Sequence, residues 1–168
     1  MIVRISEIPD EGLHVTSPAV VGPVFTDEGW ALDAVELFIE RRTGEVAISG
    51  EFRATTRLAC SRCLEPLVTE IGPPVDLHLF PARGSRHEEV ELGPDDLEID
   101  FYQGDTLDVA GLLRSETLLA LPMKPLCRAD CRGLCPLCGS NRNVTACACD
   151  ARAIDPRLAP LEALRRRL

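Results

Sequence analysis

Eight cysteines spaced in pairs constrain this chain more than any other feature: Cys60, Cys63, Cys127, Cys131, Cys135, Cys138, Cys147 and Cys149. Eight makes two sets of four, the number a structural zinc site takes. In Cys135-Pro136-Leu137-Cys138-Gly139 the two intervening residues let a tight turn aim both sulfurs at one ion. The glycine lets the backbone relax so that its amides can point at thiolates. Cys147-Ala148-Cys149 can then close a tetrahedron with Cys135 and Cys138. The other four are Cys60, Cys63, Cys127 and Cys131. Cys60-Ser61-Arg62-Cys63 is a second two-residue knuckle, and Cys127 and Cys131 stand one helical turn apart, able to face one ion. Closing that set would restrict the unfolded chain over a long loop. A competing partition takes the local set Cys127, Cys131, Cys135 and Cys138. One or two structural zinc ions are therefore expected.

Other uses of cysteine suit the chain less well. A disulfide framework belongs to exported proteins. The opening Met1 to Asp10 has no apolar signal core and no small-residue cleavage site, and no run approaches the roughly 18 apolar residues of a membrane span. The expected location is the cytoplasm, where thiols stay reduced. A redox pair of the thioredoxin kind needs a βαβ setting that is not found. His14, His78 and His87 are scattered without ligand spacing and read as surface or strand residues.

The rest of the chain is enough for a core. It has 168 residues, 45% of them hydrophobic, and only seven aromatics, so the core is mostly aliphatic. From Val46 to Cys60 the alternate positions are Val46, Ile48, Gly50, Phe52, Ala54, Thr56, Leu58 and Cys60, a period of two that predicts a half-buried strand. That length is unusual for one straight strand, and Gly50 is the expected bend or bulge. Trp30 to Ile39 predicts its partner, with Arg41-Arg42-Thr43-Gly44 as the turn. Leu67 to Ile71 and Val75 to Leu79 predict two shorter strands, leaving Cys60 and Cys63 on the turn before Leu67. Residues 81–105 read as a loop. Asp105 to Leu121 predicts a helix with acidic residues at its positive end and an apolar stripe of Val109, Leu112, Leu113 and Ala120, stopped by Pro122. A short helix is expected after Asp155-Pro156-Arg157.

The fold class that follows is α+β. An antiparallel β-rich domain, residues 1–121, ends in the one central helix and carries the Cys60/Cys63 knuckle. A cysteine-rich zinc-binding segment with a short terminal helix occupies residues 122–168.

Charge is unevenly divided. The net charge is −9. Residues 121–168 hold nine Lys/Arg against four Asp/Glu, a surplus of +5, while residues 1–120 carry −14. Such a split can mark a nucleic-acid-facing tail on an acidic body. An ion held by four thiolates carries a formal −2, however, so two such sites cancel most of the tail's surplus. The run His87 to Asp100 has seven acidic residues in fourteen. It reads as a solvated loop, or as a surface that meets a basic partner such as a ribosomal protein.

The tail also resembles a known family. Cys60-Ser61-Arg62-Cys63-Leu64, Leu119-Ala120-Leu121-Pro122-Met123, Gly133-Leu134-Cys135-Pro136-Leu137-Cys138-Gly139, Asn141, Asn143, Cys147-Ala148-Cys149 and Asp155-Pro156-Arg157-Leu158 are similar to the bacterial YceD family, named for accumulation of large-subunit ribosomal RNA. The resemblance covers most of residues 44–164. Where a typical member reads asparagine-leucine-asparagine, this chain has Asn141-Arg142-Asn143. The resemblance implies a role in synthesis, processing or stability of large-subunit (23S) ribosomal RNA, and it supplies no catalytic residue.

The expected function is thus a non-catalytic ribosome-assembly factor. Its partners would be ribosomal RNA, large-subunit ribosomal proteins or an RNA-processing enzyme, with no membrane and no small-molecule substrate. Arg128, Arg132, Arg142, Arg152 and Arg157 are the candidate phosphate contacts; equally, they can offset thiolate charge. Residues 121–168 lack Phe, Trp and Tyr, so base stacking on an aromatic platform is not expected there. The rival readings are a metal-dependent ribonuclease using acidic residues between Glu88 and Asp100 to hold Mg²⁺, and a zinc-dependent nucleic-acid-binding regulator.

Overall fold

The computed structural model describes residues 1–82 and 99–149. The helix expected after Asp155, Arg152 and Arg157, His87 and most of the acidic run lie outside the described residues. The described chain is mostly β-sheet with few helices. It divides into two compact units: residues 1–58 with 68–123, and residues 59–67 with 124–149. The loop carrying Cys60 and Cys63 thus groups by contact with the cysteine-rich segment.

The first unit is built on a long hairpin. Strand β3 (Ala31–Arg42) and strand β4 (Glu45–Ala59) pair antiparallel from Arg42↔Glu45 to Ala31↔Thr55, closed by a two-residue turn at Thr43-Gly44. Gly44 has φ +88°, as hairpin turns of this length require. Strand β2 (Leu13–Val15) borders β3. On the other side of β4 run strand β5 (Pro66–Ile71) and strand β6 (Pro74–Pro81). Strand β7 (Ile99–Tyr102) adds to β6 in parallel, the one parallel pair among the described residues. It lies in a stretch expected to be loop. The run Ile99-Asp100-Phe101-Tyr102 is short, and its pairing depends on the neighbouring edge of β6 rather than on its own pattern.

The alternation of β4 is what organises the core. Val46, Ile48, Phe52 and Ala54 are buried with Val35, Leu37 and Ile39 of β3 and with Val75 and Leu79 of β6. Each fully buried aliphatic side chain of this kind stabilises by about 1.5–3 kcal/mol. Thr56 falls on the same face, and its hydroxyl donates to the Thr69 carbonyl at 3.1 Å, so no polar group is stranded. The bulge expected at Gly50 is absent: the register runs through Leu37↔Gly50 and Gly50↔Val75. The irregularity lies between Leu32 and Ala34 of β3, where the Asp33 carboxylate accepts from the Thr55 hydroxyl at 2.7 Å. Gly50 is required for another reason. Its φ is +139°, and a Cβ there would collide with the Glu36 carbonyl oxygen.

The central helix starts later than expected. Strand β1 (Ile2–Arg4) pairs with strand β8 (Thr106–Asp108), so Thr106 to Asp108 are extended. The free edge of β1 offers those residues backbone hydrogen bonds that an isolated helix start would leave open. A 3₁₀ turn at Ile5–Glu7 and a four-residue helix, α1 (Pro18–Val21), were not anticipated. Helix α2 (Val109–Ala120) buries Val109, Leu113 and Thr117, spaced at four, with Leu112 only partly buried. Asp108 holds the N-cap position without a side-chain cap bond. Asp105 instead accepts from the Ser6 amide at 2.9 Å and from the Ser6 hydroxyl.

The Ser6 contacts hold the Asp105 carboxyl below its usual range. A carboxylate lowered on folding contributes stability above its unfolded pKa, and that contribution is lost as pH falls through the lowered value. Ser6→Ala should raise the Asp105 pKa toward normal in an NMR titration and leave the first unit less tolerant of acid. Gly50→Ala should cost about 2 kcal/mol or more in denaturant unfolding. Gly44→Ala has the same unfavourable sign of φ but open space around it, and should cost about 1 kcal/mol.

Candidate metal centre

The hairpin ends that carry the paired cysteines share one backbone design. In the loop between β4 and β5, the Cys60 amide donates to Glu65 O at 2.9 Å and the Leu64 amide to Cys60 O at 2.9 Å. In the second unit's other segment, the Cys135 amide donates to Ser140 O at 2.8 Å and the Gly139 amide to Cys135 O at 2.9 Å. The residue after the second cysteine is left-handed in both: Leu64 at φ +62° and Gly139 at φ +71°. Glycine accepts that conformation freely, whereas leucine is strained by roughly 1–2 kcal/mol. The turn tucks backbone amides under sulfur. Cys60 receives those of Cys63 and Arg62, and Cys135 those of Cys138 and Leu137. The second sulfur of each pair faces the amide two residues on, Glu65 for Cys63 and Ser140 for Cys138.

All eight sulfurs sort into two quartets. Cys60, Cys63, Cys127 and Cys131 form one; Cys135, Cys138, Cys147 and Cys149 form the other; within each, the sulfurs lie within 4.8 Å of one another. The Cys60–Cys131 and Cys63–Cys127 separations are 3.8 and 3.6 Å. A disulfide would need about 2.05 Å. An ion bonded to four sulfurs at about 2.3 Å spaces them by about 3.8 Å along each tetrahedral edge. Both clusters could therefore hold a metal ion, and the local partition of Cys127 and Cys131 with Cys135 and Cys138 is not the one formed. In the first quartet only Cys127 is exposed; in the second only Cys135 is buried.

Charge within each quartet is strongly unequal. The amides of Cys127, Cys63 and Arg62 lower Cys60 to about 6, against burial. Burial, then the sulfurs of Cys63, Cys131 and Cys60, push Cys127 up to about 12. In the second quartet the Ser140 hydroxyl and amide lower Cys138 to about 6, and the Cys138 sulfur pushes Cys149 up to about 12. One sulfur is readily ionised and another resists it, because four negative charges cannot share so small a volume unaided. A divalent cation at the centre removes that conflict.

Around the first quartet lies a polar frame that the sequence marks only as part of a resemblance. Asn143 uses all four of its amide valences. Its Oδ1 accepts from the Arg132 amide at 2.8 Å and from Arg128 Nη2 at 2.9 Å. Its Nδ2 donates to Cys131 Sγ at 3.3 Å and to Asn141 Oδ1 at 2.9 Å. Asn141 Nδ2 in turn donates to the Glu65 carboxylate at 3.1 Å. Arg62 Nη1 donates to the Cys131 carbonyl at 2.9 Å.

Of the candidate phosphate contacts, Arg128 is engaged with Asn143 and with Asp130 at 3.4 Å. Arg132 and Arg142 are exposed. Of the described histidines neither belongs to a quartet: His14 lies against Phe38, and His78 Nδ1 is 3.2 Å from Glu45.

Among the described residues, no helix is long and apolar enough to cross a membrane. The family described as large ribosomal RNA subunit accumulation protein YceD matches residues 48–165. An uncharacterized protein of Mycobacterium tuberculosis is 34% identical over 134 residues, covering 76% of this chain and 61% of that relative. The Bacillus subtilis protein YlbN is 32% identical over 123 residues, covering 71% of this chain and 64% of its own length. The maize chloroplastic protein described as large ribosomal RNA subunit accumulation protein YCED homolog 1 is 27% identical over 154 residues, 76% of this chain and 52% of the relative. The chain thus spans less than two thirds of the length of each. No solved structure shows a significant match. Since the family match takes in more than two thirds of the chain and all eight cysteines, this chain belongs to the YceD family.

Proposed function

We propose that this chain is a non-catalytic ribosome-assembly factor of the cytosol, supporting accumulation of large-subunit ribosomal RNA, and that two zinc ions hold its second unit together. The observation that carries the metal reading is the complete sorting of eight thiols into two quartets, each with its sulfurs within 4.8 Å of one another. All-sulfur coordination favours zinc over the hard cations, which take oxygen. Four protein ligands leave no open position for substrate or water, the mark of a structural rather than a catalytic site. Cys60, Cys63, Cys127 and Cys131 would hold one ion, and Cys135, Cys138, Cys147 and Cys149 the other.

The ribosomal role rests on family membership and on the name borne by the maize relative. The partner would be ribosomal RNA, a large-subunit ribosomal protein or an RNA-processing enzyme. Of the three candidate arginines described, Arg132 and Arg142 are exposed, while Arg128 is engaged with Asn143. Contact of this kind is electrostatic and sequence-tolerant.

Native mass spectrometry of the full chain should find two zinc ions. Cys138→Ser should lower that number and open the second unit to proteolysis, because structural zinc binding is coupled to folding and is worth roughly 10–16 kcal/mol. A folded, metal-free protein, or iron in place of zinc, would sink the zinc assignment. In a pull-down from growing cells, large-subunit RNA or its proteins should be retained at low salt. Any RNA should fall away steeply between about 50 and 200 mM salt, and Arg132→Glu with Arg142→Glu should lower its retention. Retention of nothing ribosomal would remove the support for this role.

A further inference from the structure

The loop from Gly139 to Ala146 belongs by covalent connection to the second quartet, since it joins Cys138 to Cys147. Its side chains, however, serve the first. Asn143 donates to the sulfur of Cys131 and accepts from the Arg132 amide and the Arg128 guanidinium, so it grips both flanks of that cysteine. Asn141 braces Asn143 twice, accepting from its amide nitrogen at 3.0 Å and from its side chain. Asn141 also reaches Glu65, two residues beyond Cys63. The backbone adds to the grip. The Arg142 amide donates to Gly133 O at 2.9 Å, and the Leu134 amide to Arg62 O at 3.0 Å. Gly133 has φ +70°, and a Cβ there would come within 2.9 Å of the Arg62 carbonyl. Both segments that supply the first quartet are therefore held by a loop that runs between two members of the second, Cys138 and Cys147.

We propose that Asn143, braced by Asn141, is a positioning residue that couples the two quartets, so that they take up metal as one cooperative pair. This inference rests on the reading of both quartets as metal sites. Free, the loop samples many conformations, and ordering it costs entropy. Once Cys135, Cys138, Cys147 and Cys149 share an ion, that cost has been met, and Asn143 is already placed to hold Cys131. The linkage is reciprocal: filling the first quartet favours the second by the same factor. Hydrogen bonds to metal ligands typically change metal affinity by 10–100-fold.

The amide of Asn143 is specific for this role. Its N–H faces sulfur and its oxygen faces two N–H groups. Aspartate at that position keeps the shape and the acceptor, but turns a carboxylate oxygen toward the thiolate.

Zinc added in steps to the metal-free full chain, read by native mass spectrometry, tests the proposal without any activity assay. For two independent, equal sites the one-zinc form makes up about half of the molecules at half-loading. Coupling of about tenfold or more should hold it to roughly a quarter or less in the wild type. In Asn143→Asp it should rise to about half or more, with two zinc ions still bound in excess metal. Asn141→Ala removes the brace and the bond to Glu65 while leaving Asn143 in place, and should shift the distribution the same way by a smaller amount. A one-zinc form of half or more in the wild type overturns the coupling and leaves the metal reading intact. A cooperative wild type with both variants unchanged overturns the assignment to Asn143. No zinc uptake by the wild type overturns the metal reading and this inference with it.

Discussion

Like charges do not gather unaided, and the second unit depends on how that is resolved. Each quartet packs four thiols within 4.8 Å, and ionising all of them against one another is prohibitive without a cation. Backbone amides meet part of the demand. They reach the first sulfur of each knuckle from the next two residues but one, and they lower Cys60 to about 6. Cys127 and Cys149 show the remainder, held near 12 by burial and by neighbouring sulfur. The local fold favours the thiolate at some sulfurs of each quartet and disfavours it at others.

Among the described residues, the second unit has little conventional core. Its buried cluster is Cys60, Cys63 and Cys131, with Leu67 and Leu126 packed alongside. The first unit has a continuous aliphatic core from β3, β4, β6 and α2 and can rely on the hydrophobic effect. Small units without such a core ordinarily need a metal or a covalent staple. The proposed ions would supply the missing stabilisation.

What could be read from the sequence followed from short-range chemistry. The alternation of β4, the paired knuckles and the central helix are local signals; the first two appear where the pattern puts them, and the helix appears with its start moved from Asp105 to Val109. Ligand partition was legible as one of two alternatives because spacing alone cannot rank Cys127 and Cys131 with a distant knuckle against a nearby one. Long-range pairing was harder. Thr106 to Asp108 join β1 because its edge is open, and Ile99 to Tyr102 join β6 for a similar reason; neither neighbour is visible in a local window. Gly50 was rightly singled out but for the wrong geometry, since a glycine demanded by a neighbouring carbonyl looks the same in sequence as one that marks a bulge. Asn141 and Asn143 carry no periodic signal at all. Their importance lies in four hydrogen-bonding directions filled by groups far apart in the chain.

One property of the second unit bears on how the protein is made. Its two segments, 59–67 and 124–149, are separated by a whole stretch of the first unit. Synthesis runs from the N-terminus, so Cys60 and Cys63 emerge well before Cys127 exists. Until then they form half a ligand set, unable to complete a tetrahedron by themselves. A chain ended before residue 127 carries only that half set, and the four sulfurs of the first quartet can meet only once translation has passed residue 131.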